Sequence, residues 1–341
     1  MSQFNTLKTI PIYSGDTMDI VIVGSLAYDD LETEAGIVTN SLGGSGTFAG
    51  IAAAFHSSRR MDTDGTLPVG LVCAVGDDFG ESDFDLLKQV GLDLSGVEII
   101  EGGRTFRWHG RYEGDMGQAI TIETQQNVLD GYEPKVPAVW WSPRILFLAN
   151  NHPSIQSHVL DQCEGAKFTA LDSMNLWINI AFEELSSVLR RVDLAILNDM
   201  EVRMIAKDEN LIRAGESIRD GSALSNGSEA GAGPSILIIK KGEHGSVALS
   251  NNGVLTLPAF PTSDIVDPTG CGDSFAGTLL TFLSESENLT PTNDELHNAL
   301  VHATVTASFT ISAFGTDGLV GLDRGEYHAR LDAYRRMVGL I

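Results

Sequence analysis

Short, continuously apolar runs alternate along the chain with stretches of helical period. Residues 19–24 read as a buried strand ending in Gly24, and 69–75 as a second. Runs of the same kind recur at 145–148, 168–171, 194–197 and 236–239. Helical stretches fall at 49–55, 84–90, 181–191 and 200–206, and another begins near Gly270, where Ala276, Leu279, Leu280 and Leu283 share one face. Strands apolar on both faces and alternating with helices predict an α/β fold with a mostly parallel central sheet covered on both sides. Two segments break the pattern. Residues 30–42 and 104–124 alternate β-prone side chains, as in Thr105-Phe106-Arg107-Trp108 and Ile120-Thr121-Ile122-Glu123. They predict strands outside the main sheet, serving as an active-site lid, an edge extension or a dimer contact. The Gly- and Ser-rich stretch 221–235 reads as a flexible loop too short to link domains. One domain over 18–341 is expected, preceded by an N-terminal extension, 1–17.

Charge narrows the partners. Against 22 basic side chains stand 46 acidic ones, a formal net charge of -24. Such a surface repels nucleic acid and anionic membrane, and no Lys/Arg cluster offsets it. Cys73, Cys163 and Cys271 are far apart and odd in number, which predicts reduced thiols in a cytoplasmic setting and no zinc site. No apolar run reaches the roughly 18 residues of a membrane span, and residues 1–17 carry no signal-peptide core.

The chemistry concentrates at Asp267-Pro268-Thr269-Gly270-Cys271-Gly272-Asp273. Asp267 to Gly270 fits a type I turn. Gly270 and Gly272 let the backbone wrap an anion, with the positive end of the following helix behind it. Asp273 falls in the first helical turn, where the dipole is expected to keep it ionised and able to take a proton from an attacking hydroxyl. Gly44-x-Gly46-x-x-Ala49 matches a dinucleotide fingerprint, but about twenty residues separate it from the first strand, which rules that reading out. Asn198-Asp199-Met200-Glu201 follows a strand and opens a helix, suiting either an N-cap or Mg²⁺ held through water. Lys240-Lys241-Gly242-Glu243-His244-Gly245 ends another strand and suits either phosphate contact or an ordinary hairpin turn with solvated lysines. Asp29, Asp172 and Asn175 fall at the same strand-end edge, where carboxylates and amides fit a polyhydroxylated substrate.

Together these residues resemble the ribokinase/PfkB family of carbohydrate and nucleoside kinases. Asp267 to Asp273 is similar to its D-T-x-G-A-G-D signature, with Cys271 where Ala is usual. Gly43-Gly44-Ser45-Gly46 is similar to its first signature and Asn198-x-x-Glu201 to its N-x-x-E element. The resemblance implies a three-layer α/β/α sandwich with a β-strand lid, and an ATP-dependent phosphotransferase. It makes Asp273 the general base and the backbone of Gly270, Cys271 and Gly272 the anion hole. Asp29, Gly43, Gly44, Phe48, Asp172 and Asn175 would line the substrate, while Asn198, Glu201, Lys240, Gly242, Gly245 and His302 would flank ATP. Glu201 would hold Mg²⁺ through water, and Asp267 a monovalent cation such as K⁺.

Departures from ribokinase proper leave the acceptor open among sugars, polyols and nucleosides. Ala27 and Phe48 stand where that enzyme has sugar-binding asparagines. Phe48, Phe106 and Trp108 suggest either an aromatic wall or simply core, and Arg104, Arg107 and Arg111 a clamp over phosphate. A homodimer through the lid and a non-catalytic binding regulator complete the open readings.

Overall fold

The computed structural model describes residues 18–58, 68–114, 116–286 and 289–340. The expected extension 1–17, and Asp115 within the second irregular segment, lie outside the described residues. Seven parallel strands form the body of a nine-stranded sheet: β1 (Ile20–Val23), β4 (Val69–Gly76), β5 (Leu92–Ile100), β8 (Ile145–Leu148), β9 (Thr169–Asp172), β10 (Leu194–Asn198) and β11 (Ile236–Lys240). Antiparallel β12 (Ser246–Ser250) and β13 (Gly253–Leu257) finish one edge, in the order β13-β12-β11-β10-β9-β8-β1-β4-β5.

Successive side chains of a strand point to opposite faces, and β1 shows why its run is apolar throughout. Ile20 and Ile22 enter one core with α1 (Ser45–Ser57), α8 (Cys271–Leu283), α9 (Asn293–Thr310) and α11 (Arg324–Met337). Val21 and Val23 enter the other, with α3 (Pro153–Gln162), α5 (Phe182–Leu189), α6 (Asp199–Ala206) and α7 (Leu211–Arg219). The three-layer sandwich is therefore written into every buried strand. Each parallel strand delivers its C-terminal residue to one edge, which collects Asp172, Asn198 and Lys240.

The two irregular segments form a separate sheet, ordered β3-β2-β6-β7, from β2 (Ala27–Thr33), β3 (Gly36–Gly43), β6 (Phe106–Tyr112) and β7 (Ala119–Gln125). It is not an extension of the main sheet, and it begins three residues earlier than expected, at Ala27. The 221–235 stretch is also more organised than its composition suggests. Arg190 donates to the carbonyls of Ser225 (2.8 Å) and Gly227 (3.0 Å), and also to that of Gly231, so one half-buried guanidinium gathers the loop. Among the described residues no helix is long and apolar enough to cross a membrane.

Candidate active site

Asp267 prepares the start of α8. Its carboxylate is buried, with Oδ1 accepting the Thr269 N–H (2.9 Å) and Oδ2 the Gly315 N–H (3.0 Å). The backbone turn then runs from Pro268 to Cys271, whose N–H reaches the Pro268 carbonyl at 3.2 Å. That is one residue later than the turn expected, because the Asp267 side chain closes the first bend itself. Gly270 is the N-cap, at φ 75°. A Cβ there would strike the Phe48 ring, so both the dihedral and the space require glycine. Among the described residues no side chain caps this helix. Its first N–H groups are therefore left to whatever anion approaches.

Asp273 stands in that first turn. Burial pushes its carboxyl up to about 7, the neighbouring Asp172 charge adds to the rise, and Lys240 pulls it back. The dipole expected to keep it fully ionised is outweighed by lost hydration. A carboxyl titrating there can serve as a base near neutral pH.

Across from this turn, β2 carries Asp29, which is buried against the start of α1. Its carboxylate fills the space a Cβ on Gly43 would need, and it accepts from the Gly44 N–H. Burial, followed by the charges of Asp267 and Asp273, pushes Asp29 up to about 8, while the Gly44 bond opposes the shift. The small sheet meets the sandwich on two sides. Thr269 Oγ1 donates to the Tyr112 hydroxyl at 3.1 Å, and Gln118 Nε2 reaches the Met200 sulfur at 3.3 Å.

The main-sheet edge completes the site. The Lys240 ammonium donates to Asp172 Oδ2 at 2.9 Å, and its Nζ lies 3.0 Å from where a Cβ on Gly272 would sit. Burial works to lower the Lys240 pKa, but Asp172, Glu201 and Asp273 together hold it above its ordinary value. Asn198 and Glu201 form a capping box: Asn198 Oδ1 accepts the Glu201 N–H (2.8 Å), and Glu201 Oε2 accepts the Asn198 N–H (2.7 Å). Burial raises the Glu201 pKa against the pull of Lys240. Gly242 opens a short 3₁₀ turn after β11 and Gly245 follows it, at φ 53° and 82°, and Lys241 N–H closes onto the Gly245 carbonyl at 2.8 Å. Beyond β8 and β9, Asn150 Nδ2 and Asn175 Nδ2 point at the sulfurs of Met174 (3.3 Å) and Met200 (3.6 Å).

Three expectations need correction. Phe48 is fully buried beneath Gly270, so it supports the turn and offers no wall to a substrate. His302 bonds the Tyr327 hydroxyl through Nδ1 (2.5 Å) and stacks on Phe282 at 3.9 Å. Phe282 is eleven residues along α8 from Cys271, about 16 Å at the helical rise, so His302 packs the far end of the helix layer. Of the arginines proposed as a clamp, Arg107 is paired with Asp78 (3.0 Å) and Arg111 with Glu32 (3.4 Å), while Arg104 is largely exposed and only grazes Asp78 at 3.9 Å. Arg107 also pairs in register with Tyr28, whereas Trp108 pairs with Asp29, which puts Arg107 on the opposite sheet face from Asp29. Asn150, Tyr112 and Gln118 were not foreseen. Asn150 had a usable signal, since it follows an apolar run just as Asp172 and Asn198 do.

The pfkB family carbohydrate kinase pattern matches residues 10–320. The chain belongs to that family. It is accordingly an ATP-dependent kinase with a ribokinase-like α/β fold. A cytidine kinase of Thermococcus kodakarensis is 26% identical over 282 residues, spanning 80% of this chain and 91% of the relative. An ATP-dependent ribose-1-phosphate kinase of Halopiger xanaduensis is 24% identical over 263 residues, spanning 76% and 79%. The crystal structure of a Methanocaldococcus jannaschii nucleoside kinase shares the fold with a TM-score of 0.69 at 18% identity, over 94% of this chain and all of that one.

Proposed function

We propose that this kinase moves the γ-phosphoryl group of ATP to the hydroxymethyl group of a nucleoside, with Asp273 as general base. The observation that carries the reaction is the start of α8, where a carboxyl raised to about 7, an uncapped glycine turn and the Lys240 ammonium meet. Asp273 takes the acceptor's proton as its oxygen bonds to the γ-phosphorus and the bond to the bridging β–γ oxygen breaks, leaving ADP. The Gly270–Gly272 amides face the charge that gathers on the transferred oxygens. Among the described residues no group of three metal-ligating side chains is assembled, which suits a Mg²⁺ bound chiefly by phosphate oxygens and water. Glu201 would be the carboxylate to reach such an ion through water, and bound Mg²⁺ would neutralise phosphate charge. Asp267, buried and raised in pKa by that burial, is the group a monovalent cation would neutralise.

The choice of a nucleoside over a sugar phosphate is supported by charge. Arg107 and Arg111 are drawn onto carboxylates, which weakens the cationic attraction for a phosphorylated acceptor, while buried Asp29 suits a neutral diol. The wall of Asn150, Asn175 and Gln118 further supports a ring with a polar edge. These amides donate to thioether sulfurs, which are weak acceptors, and Met174 and Met200 remain partly exposed for stacking. The sugar and polyol acceptors expected at first share the Asp29 contact but have nothing to place against that wall.

A coupled ADP-release assay with Mg-ATP tests this, using nucleosides, free sugars, polyols and sugar phosphates as acceptors. Nucleosides are expected to give the highest kcat/KM, and Asp273→Asn to lower kcat by about 10²–10⁴ with binding retained. Exclusive use of a sugar phosphate would overturn the acceptor assignment. Near-normal turnover by the variant would overturn the base.

A further inference from the structure

The sequence places Asp172 among residues that touch the acceptor, but the structure gives its oxygens other partners. Oδ1 accepts the Ser173 N–H at 2.8 Å and Oδ2 accepts Lys240 Nζ at 2.9 Å. The backbone at this point is pinned too, since buried Gln156 Nε2 donates to the Asp172 carbonyl (3.0 Å) and to that of Ala149 (3.1 Å). Asp172 closes β9 and Lys240 closes β11, with β10 between them. The lysine side chain therefore reaches across one strand to find its partner. That reach brings Nζ within 3.0 Å of the Cβ position of Gly272, at the uncapped start of α8.

We propose that Asp172 is a positioning residue: it holds the Lys240 ammonium against the open helix start, where that ammonium contacts the phosphoryl group in transfer. An ammonium carries three N–H donors, so the bond to Asp172 leaves donors to aim at a phosphoryl oxygen. Lysine is also a flexible, strongly hydrated cation with four rotatable carbons behind it. Without a fixed carboxylate partner it would sample many positions, and ordering it would fall on the transition state. Three carboxylates influence it, Asp172 from β9, Glu201 from α6 and Asp273 from α8. Of these Asp172 is the one that accepts its hydrogen bond. The inference rests on the proposed transfer site at α8 but not on the identity of the acceptor.

The test is a double-mutant cycle of Asp172→Asn and Lys240→Met, with Lys240→Arg as the conservative variant and Asp273→Asn as control. Each is assayed with ATP and acceptor varied separately and across pH, after its folding is checked by thermal melting. Lys240→Met is expected to lower kcat by about 10²–10³, the cost of a lost transition-state donor, with the acceptor KM nearly unchanged. Asp172→Asn should lower kcat less, again without raising the acceptor KM. The double variant should be no slower than Lys240→Met, because a residue that acts through another adds nothing once the other is gone. Lys240→Arg should recover part of the rate.

The acid limb of kcat/KM adds a sign that general loosening would not produce. Asp172 raises the Asp273 pKa and Lys240 lowers it, while Asp29 and Asp267 face the same turn from the other side. Asp172→Asn should therefore move the limb to lower pH, and Lys240→Met to higher pH. An acceptor KM raised tenfold in Asp172→Asn with kcat preserved would make Asp172 an acceptor ligand and overturn the proposal. Additive losses in the double variant, or limbs that do not separate, would do the same. A fully active Asp273→Asn would instead remove the base assignment, leaving the cycle to judge the pair.

Discussion

Two helices begin at the same edge of the central sheet, and they are finished in opposite ways. The start of α6 is closed: Asn198 and Glu201 satisfy each other's backbone N–H groups, and Asn198 Nδ2 adds a bond to Glu201 Oε1 at 2.6 Å. The start of α8 is open, with a left-handed glycine at the N-cap and no side-chain cap. A helix end offers the same orphan donors wherever it occurs. The comparison teaches that a capping box turns those donors to stability, whereas an uncapped glycine turn reserves them for a ligand. A third case, α1, lies between the two. Its N-cap Gly44, at φ 95°, has no side-chain cap of its own but gives its N–H to Asp29 of β2.

Filling the open start should have the largest effect. Gly270→Ala puts a Cβ into the Phe48 ring and forces an alanine to φ 75°, a strain on the order of 1–3 kcal/mol from the backbone alone. Turnover is expected to fall by at least about 10²-fold, since the displaced amides are those that face the transferred group. Wild-type kcat in a folded Gly270→Ala enzyme would show that the turn is not the anion site. Asp29 sharpens the intermediate case through pH. Its folded pKa of about 8 lies above the unfolded value of 3.8, so the folded state holds a proton that the unfolded chain releases. Stability from this group is present below the unfolded pKa and is lost as pH rises through about 8. Asp29→Asn lacks that titration. Its melting temperature should gain on the wild type from pH 5 to 8 and run parallel above that window. A constant offset across the window would mean that Asp29 is ionised in the folded protein.

The difference between these helix starts was only half legible in the sequence. Strands apolar on both faces announced the sandwich, because a two-sided core demands that pattern. The glycine spacing announced the turn, because only glycine tolerates it. The partner of each charge was hidden. Asp172 and Lys240 are 68 residues apart, and no local period tells a carboxylate that binds substrate from one that holds a lysine. His302 misled for a related reason. A histidine on an amphipathic helix has the same spacing whether it faces a ligand or an aromatic cluster, and only the packing of Phe282 and Tyr327 decides. The raised Asp273 pKa was likewise out of reach, since dipole position can be read from sequence and desolvation cannot.

The smallest expected effect tests the closed start. Asn198→Ala removes the acceptor for the Glu201 N–H and the amide that steadies the Glu201 carboxylate. Loss of an N-cap typically costs about 0.5–2 kcal/mol, which would appear as a melting temperature lower by a few degrees. If α6 is closed for stability, kcat measured well below that transition should stay close to wild type, with any change confined to the KM for Mg-ATP through Glu201. A collapse of kcat in a variant that melts like the wild type would reverse the contrast. The capping box would then be part of the phosphate machinery, and the α6 start, although closed by its own side chains, would belong with α8.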